Sequence, residues 1–268
     1  MDSVERLPVW RLAKEDGGNI EAAVAREFPL TIILNDQELV TLLCSPSDLR
    51  YLAIGFLASE GFLNSKDEIR KITVDDRRGV VRLETTEDKG LAADALLKRV
   101  ISSGCGRGAS FYNAADASSQ KVDSQMEISV DDIFTLVGEF QHGSQLYLAT
   151  HGVHSAALCD GKNILVFSED IGRHNAIDKI FGKCLLEDIP TASRIIITSG
   201  RITSEVLHKV AKRGIPIIIS ISESTNLGVR IADTLGITLV ASVRGKKMNI
   251  YTGSWRIAHD GKAEKRLQ

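Results

Sequence analysis

No stretch of this 268-residue chain is apolar over anything near the ~20 residues that a bilayer-spanning helix needs. A membrane span is therefore not expected. The opening "MDSVERLPVWRLAKEDGG" lacks the apolar core of a secretory leader. Cysteine is sparse. The four, Cys44, Cys105, Cys159 and Cys184, lie far apart with no C-x-x-C and no metal-ligand spacing. Reduced thiols in a cytoplasm are the expectation, and no protein-ligated metal is. Excess charge of one sign is also missing. A net charge of −2 gives no bulk attraction to nucleic acid or an anionic membrane. What is present, 43% hydrophobic and 25% charged residues, is the mix of a globular protein with a sizeable core. The length suits one large domain or two modest ones.

Turn and cap signals divide the chain. "PLTIILNDQELVTLLC" reads as a hairpin turning at Asn35-Asp36-Gln37. In "SPSDLRYLAIGFLASEG", Ser45 is the expected N-cap, Pro46 the first helical residue and Gly61 the stop. "EIRKITVDDRRGVVRLETT" reads as a second hairpin turning over Asp75 to Gly79, and "LAADALLKRV" as a helix. Residues 113–128 are small and polar and form the expected linker. The domains expected are a tail over 1–26, an α+β domain over 27–128 and an α/β domain over 129–268. Ser129 can cap a helix over "VDDIFTLVGEFQ". Beyond it, "VHSAALCDGKNILVFS" is a hairpin around Asp160-Gly161. Short apolar strands near residues 194–198, 217–221 and 238–241 then alternate with helices from about 175, 203 and 225, before a last strand "MNIYT". This rhythm predicts a mixed, mainly parallel sheet sandwiched by helices.

In such a sheet, right-handed crossovers bring the strand-to-helix loops to one edge. "SEDIGRH", "TSGRITS" and "SISEST" should meet there, bringing Arg173, His174, Ser199 and Arg201 to helix N-termini. N-terminal N–H groups and guanidinium forks favour a phosphate-type anion. Ser168, Thr203, Ser204 and Thr225 also have a plainer reading as helix caps, with the arginines solvated. "VRGKKMNIY" adds Arg244, Lys246 and Lys247 around Gly245, a turn that is either solvated or part of the anion site.

Cys105 sits in "ISSGCGRGASF", between glycines that permit close approach of a partner and beside Arg107, which favours the nucleophilic thiolate. The other three cysteines fall in apolar patterns and read as core. His151 and His154 in "THGVHSAAL" would point to opposite faces of a strand. The H-x-E and P-C-x-x-C signature of zinc deaminases is missing.

Taken in order, "PLTIILN", "SPSDLRYLAIGFLASEG", "SSGCG", "HGVHSAAL", "EDIGRHNAIDK", "TSGRITSE", "GIPIIISISESTNLGVRIADTLGITLV" and "VRGKKMNIYTG" resemble the FdhD family of formate dehydrogenase accessory sulfur carriers, from Glu27 to Gly253. The resemblance implies a cytidine deaminase-like C-terminal half without its zinc chemistry, and a cytoplasmic homodimer. It implies a sulfurtransferase-like carrier that takes sulfur from a cysteine desulfurase as a persulfide on Cys105. The recipient is the molybdenum cofactor in its bis-molybdopterin guanine dinucleotide form, for formate dehydrogenase. It places Ser242, Val243, Arg244, Gly245, Lys246 and Lys247 in the guanine dinucleotide contact. Many members carry C-x-x-C where this chain has Cys105 followed by Gly106, Arg107 and Gly108. One cysteine suffices for one persulfide sulfur. The alternative readings are a non-catalytic cofactor-binding chaperone and, from the fold alone, a nucleoside-modifying hydrolase.

Overall fold

The computed structural model describes residues 2–14, 16–87, 100–101, 109–110 and 121–259, the two short pairs by backbone alone. It is a mixed α/β protein whose strands and helices divide between two compact units that are not consecutive in sequence. Unit 1 comprises 1–117, 144–156 and 167–189; unit 2 comprises 118–143, 157–166 and 190–268.

In unit 1, β1 (Val4–Leu12) and β2 (Gly17–Ala25) form an antiparallel hairpin. The stretch expected as a tail is thus paired strand; its residues are mostly exposed or half-buried, so no burial alternation announced it. β3 (Phe28–Leu34) and β4 (Gln37–Cys44) turn as expected at Asn35 and Asp36, both with positive φ (47° and 61°), which these residues tolerate better than most. With β5 (Ile69–Asp75) and β6 (Val80–Thr85) they build a sheet of order β4-β3-β6-β5. A two-residue pair, β7 (Val100–Ile101) with β8 (Ala109–Ser110), follows. Apart from Val100, the helix expected over "LAADALLKRV" lies outside the described residues.

Helix α1 runs over Leu49–Glu60 and stops at Gly61 (φ 86°). Its start corrects the expected cap. Ser45 is not the N-cap and Pro46 is not helical; the cap is Asp48, at φ 56°. Ser45 is instead tied elsewhere in unit 1. Its N–H donates to Asp170 Oδ2 (3.0 Å) and its hydroxyl oxygen accepts from Ile171 N–H (3.1 Å).

β9 (Ile128–Ser129) leads into α2 (Val130–Gly143), capped by Ser129 as expected: its Oγ accepts from Asp132 N–H at 3.1 Å. Ile133, Leu136, Val137 and Phe140 supply the buried stripe at helical spacing. α3 (Gln145–Thr150) ends at His151, φ 52°. His154 opens β10 (His154–Cys159), so the two histidines are not a same-strand pair. β11 (Ile164–Asp170) completes that hairpin, and α4 (Arg173–Leu186) follows.

Helices α1 and α4 are apolar on nearly every side, as fully buried helices are. They touch backbone to backbone. A Cβ on Gly55 would lie 1.7 Å from Asp178 O, and one on Gly182 would lie 1.8 Å from Tyr51 O. Beside this contact sits a buried ion pair. Lys179 Nζ lies 2.7 Å from Asp170 Oδ2, with the side chains 1% and 0% exposed. Asp170 Oδ1 also accepts from Gly172 N–H and Asn175 Nδ2, both at 2.9 Å, and Lys179 donates to Glu169 O at 3.0 Å.

In unit 2, β12 (Ile195–Thr198), β13 (Ile217–Ser220) and β14 (Thr238–Arg244) are parallel, and β15 (Lys247–Thr252) joins antiparallel to β14. The full sheet order is β11-β10-β12-β13-β14-β15, and the division between units cuts through β10 and β11. The Ile195–Ile197 and Ile217–Ile219 triplets are wholly buried, the continuous apolar run of a strand covered on both faces. α5 (Ser204–Lys212) and α6 (Asn226–Leu235) connect these strands, and β16 (Ile257–Ala258) pairs with β9. Residues 121–125, expected as linker, are packed chain. Val122 N–H donates to Leu235 O at 2.9 Å, and the buried Arg256 guanidinium donates to Ser124 O, Gly236 O and Thr238 Oγ1.

Candidate functional site

The C-terminal ends of β12, β13 and β14 carry three loops that hydrogen bonds join side by side. Thr198 Oγ1 accepts from Gly200 N–H (3.1 Å), and Ser220 Oγ donates to Gly200 O (2.8 Å) while accepting from Ser222 N–H (2.9 Å). Ile202 N–H donates to Glu223 O and Thr225 N–H to Ile202 O, both at 3.0 Å. Ser242 N–H donates to Ser222 O at 2.8 Å, bringing in the third loop. Small hydroxyl residues at strand ends make this possible, because they satisfy loop backbone that no sheet partner reaches.

The third loop departs from regular strand. The β14–β15 register shifts between Ala241 and Arg244, a bulge of the kind that re-aims side chains. Within it Ser242 has φ 54°, a left-handed conformation that costs a non-glycine residue about 1–2 kcal/mol. Gly245, φ 58°, takes the first central position of the tight turn between the paired residues Arg244 and Lys247, where a II′ hairpin uses glycine.

Of the residues expected in the cofactor contact, Val243 is 1% exposed, so its side chain is core and only its backbone can face a ligand. Arg244, Gly245, Lys246 and Lys247 are exposed, as is Arg201 in the first loop. Ser199 opens that same loop. Arg173 and His174 belong to unit 1, where they begin α4 and are buried. Arg173 Nε has no hydrogen-bond partner among the described residues. Of the plainer capping readings, Thr225 does cap α6, through Gly228 N–H at 3.1 Å. Thr203 occupies the N-cap of α5 without a side-chain bond, and Ser204 is the first residue of that helix. Ser168 lies within β11.

The sequence reading missed Glu223. One of its carboxylate oxygens accepts from the Ser242 hydroxyl and the other from Tyr251 O–H at 3.0 Å. These bonds, Ser242 first, with a backbone N–H and the nearby Arg244, hold its carboxyl below the usual carboxylate range. An acid within an otherwise hydroxyl-rich loop at a parallel strand end was the available signal. A cavity of about 580 Å³ elsewhere in unit 2 is lined by residues including Lys121, Asp123, Trp255 and Arg256, and by none of the expected site residues.

Cys105 lies outside the described residues. Cys44, Cys159 and Cys184 are buried core, as expected. Burial, then the Asp170 charge, pushes the Cys44 thiol up to about 12; burial, then Asp160, pushes Cys159 up to about 12. At pH 8 a thiol of that pKa is only about 10⁻⁴ thiolate, against about a quarter for an unperturbed one. Iodoacetamide at pH 8 is therefore expected to leave Cys44 and Cys159 of the folded protein unmodified. Peptide mapping checks this, and rapid labelling of either would contradict their placement. Among the described residues no group of three or more His, Cys, Asp or Glu is placed to hold a metal ion, and no helix is long and apolar enough to cross a membrane.

Fold and loops together define a mixed α/β protein with a cation-bearing loop cluster at the end of parallel strands. The chain belongs to the FdhD/NarQ family, whose model matches residues 25–258. It is 46% identical over 235 residues to a sulfur carrier protein FdhD of Bacillus pumilus, covering 87% of this chain and 90% of the relative. It is 43% identical over 250 residues to the protein of the same name in Bacillus subtilis, covering 93% and 95%. A crystal structure described as a formate dehydrogenase accessory protein from Desulfotalea psychrophila superposes with a TM-score of 0.80 at 28% identity, covering 96% of this chain and all of that one.

Proposed function

We propose that this chain carries sulfur as a persulfide on Cys105 and delivers it to the bis-molybdopterin guanine dinucleotide molybdenum cofactor, in service of a formate dehydrogenase. Loading is an exchange. The Cys105 thiolate attacks the outer sulfur of a persulfide on a cysteine desulfurase; a new S–S bond forms, the donor's S–S bond breaks, and the donor's inner sulfur leaves as thiolate. The outer sulfur then passes to the molybdenum of the bound cofactor, which is substrate here. Family membership supports the carrier role, since relatives are named sulfur carriers.

The observation that carries the binding half is the joined loop cluster of unit 2, with Arg201, Arg244, Lys246 and Lys247 exposed on it. Such cations, with the N-terminus of α5, suit the pyrophosphates of a dinucleotide. Ser199, and Arg173 and His174 of unit 1, are the further candidates for that contact. A homodimer and a cytidine deaminase-like C-terminal half complete the reading.

Incubation with a cysteine desulfurase and cysteine should add the mass of one sulfur to the Cys105 peptide, and add none in Cys105→Ser. In cells lacking their own copy, Cys105→Ser is expected to drop formate dehydrogenase activity to background while cofactor binding persists. Full activity with the serine variant would replace the carrier with a non-catalytic cofactor chaperone.

A further inference from the structure

Glu223 poses a physical problem on the proposed reading. The ligand is polyanionic and the surrounding loops are cationic, yet an ionised, exposed carboxylate stands among them. Opposite a phosphate it would repel. It belongs opposite hydrogen-bond donors. Its placement is also over-determined. The strained Ser242 backbone, the bulge between Ala241 and Arg244, and Tyr251 from β15 all serve to hold its two oxygens, one hydroxyl on each. A carboxylate offers about four acceptor positions, so one remains on each oxygen, side by side.

Two adjacent acceptors match two adjacent donors. Guanine presents such a pair, N1–H and the N2 amino group, on one edge. Adenine offers a donor beside an acceptor, and the acceptor would face the carboxylate unpaired. We propose that Glu223 is the base-specificity residue of this site, accepting both hydrogen bonds from guanine while Ser242 and Tyr251 fix its plane. This inference rests on the guanine dinucleotide reading above and assigns its selectivity to a residue outside the 242–247 segment.

Titration calorimetry of the full chain with GDP, IDP and ADP tests it. Wild type should bind GDP more tightly than IDP, which lacks the N2 amino group, and ADP most weakly. Glu223→Gln should weaken GDP about 10- to 100-fold, the range of a good bidentate pair, and leave ADP unchanged. Tyr251→Phe should lose a smaller part of the preference, with melting temperature followed for each variant. If Glu223→Gln weakens GDP and ADP equally, or keeps the preference, Glu223 is only a loop brace and the assignment fails. Wild type binding GDP and ADP alike would overturn the assignment alone. Wild type binding neither would overturn the nucleotide-site reading and the assignment with it.

Discussion

Asp170→Ala should be among the most destabilising single changes in unit 1. It removes the acceptor of four donors at once: Lys179 Nζ, Ser45 N–H, Gly172 N–H and Asn175 Nδ2. Lys179, 1% exposed, would keep a buried ammonium with only Glu169 O and a long contact to Ser47 Oγ (3.4 Å) for partners. Breaking one side of a buried pair costs about 3–5 kcal/mol, a large share of the ~5–15 kcal/mol that holds a typical domain folded. Lys179→Met alone should also be costly, because it leaves the carboxylate unpaired. The double variant removes both charges, so it should be less destabilised than the sum of the singles, by about 1–3 kcal/mol. Urea unfolding of the three variants at constant m-value checks this. Strict additivity would mean that the pair is not the source of the loss.

Gly55→Ala and Gly182→Ala should each be severe for a different reason. The added methyl meets backbone, not a side chain that could swing away: Asp178 O at 1.7 Å in one case and Tyr51 O at 1.8 Å in the other. Helices α1 and α4 must then part along their whole contact. A loss at or above the top of the usual overpacking range, about 3 kcal/mol, is expected. For a chain of this size that is a fall in melting temperature of about 6–12 °C. Gly138→Ala is the control. It lies in α2 with nothing within 4 Å of the new Cβ, so relief of helical glycine should leave stability unchanged or raise it by about 0.5–1 kcal/mol. Equal losses at all three positions would show that the helix contact is not what matters.

These two features mark the boundary of what could be read from the residues alone. Local chemistry was legible: Asn35-Asp36 turns, Ser129 and Thr225 cap, Gly61 stops a helix, and the isoleucine triplets are strands covered on both faces. Each depends on a few consecutive residues. Ser45 shows the limit. It has an N-cap's residue type in an N-cap's place, but its hydrogen bonds go to Asp170 and Ile171, more than a hundred positions away. Long-range pairing overrode a local preference. Glu223 was missed for the same reason, since Ser242 and Tyr251 are 19 and 28 positions distant. Gly55 and Gly182 read as indifferent helix residues until their helices are set against one another. The β1–β2 hairpin escaped because little of it is buried, leaving no alternation to detect. In the site, the loops at the ends of β12, β13 and β14 were legible as loops. Which of their side chains join was not.

The interleaving of the two units has a bearing on synthesis. Unit 1 needs α4, but its first segment ends at residue 117 and its last is complete only at residue 189. At ~5–20 residues per second, the ribosome takes roughly 4–14 s to make the intervening stretch. Throughout that interval α1 has emerged without its glycine-lined mate, and the apolar surface around Leu52, Ile54 and Phe56 has nothing to close against. The newborn chain thus passes through a vulnerable window that a protein of two consecutive domains would avoid, and a holding chaperone would have most to do there.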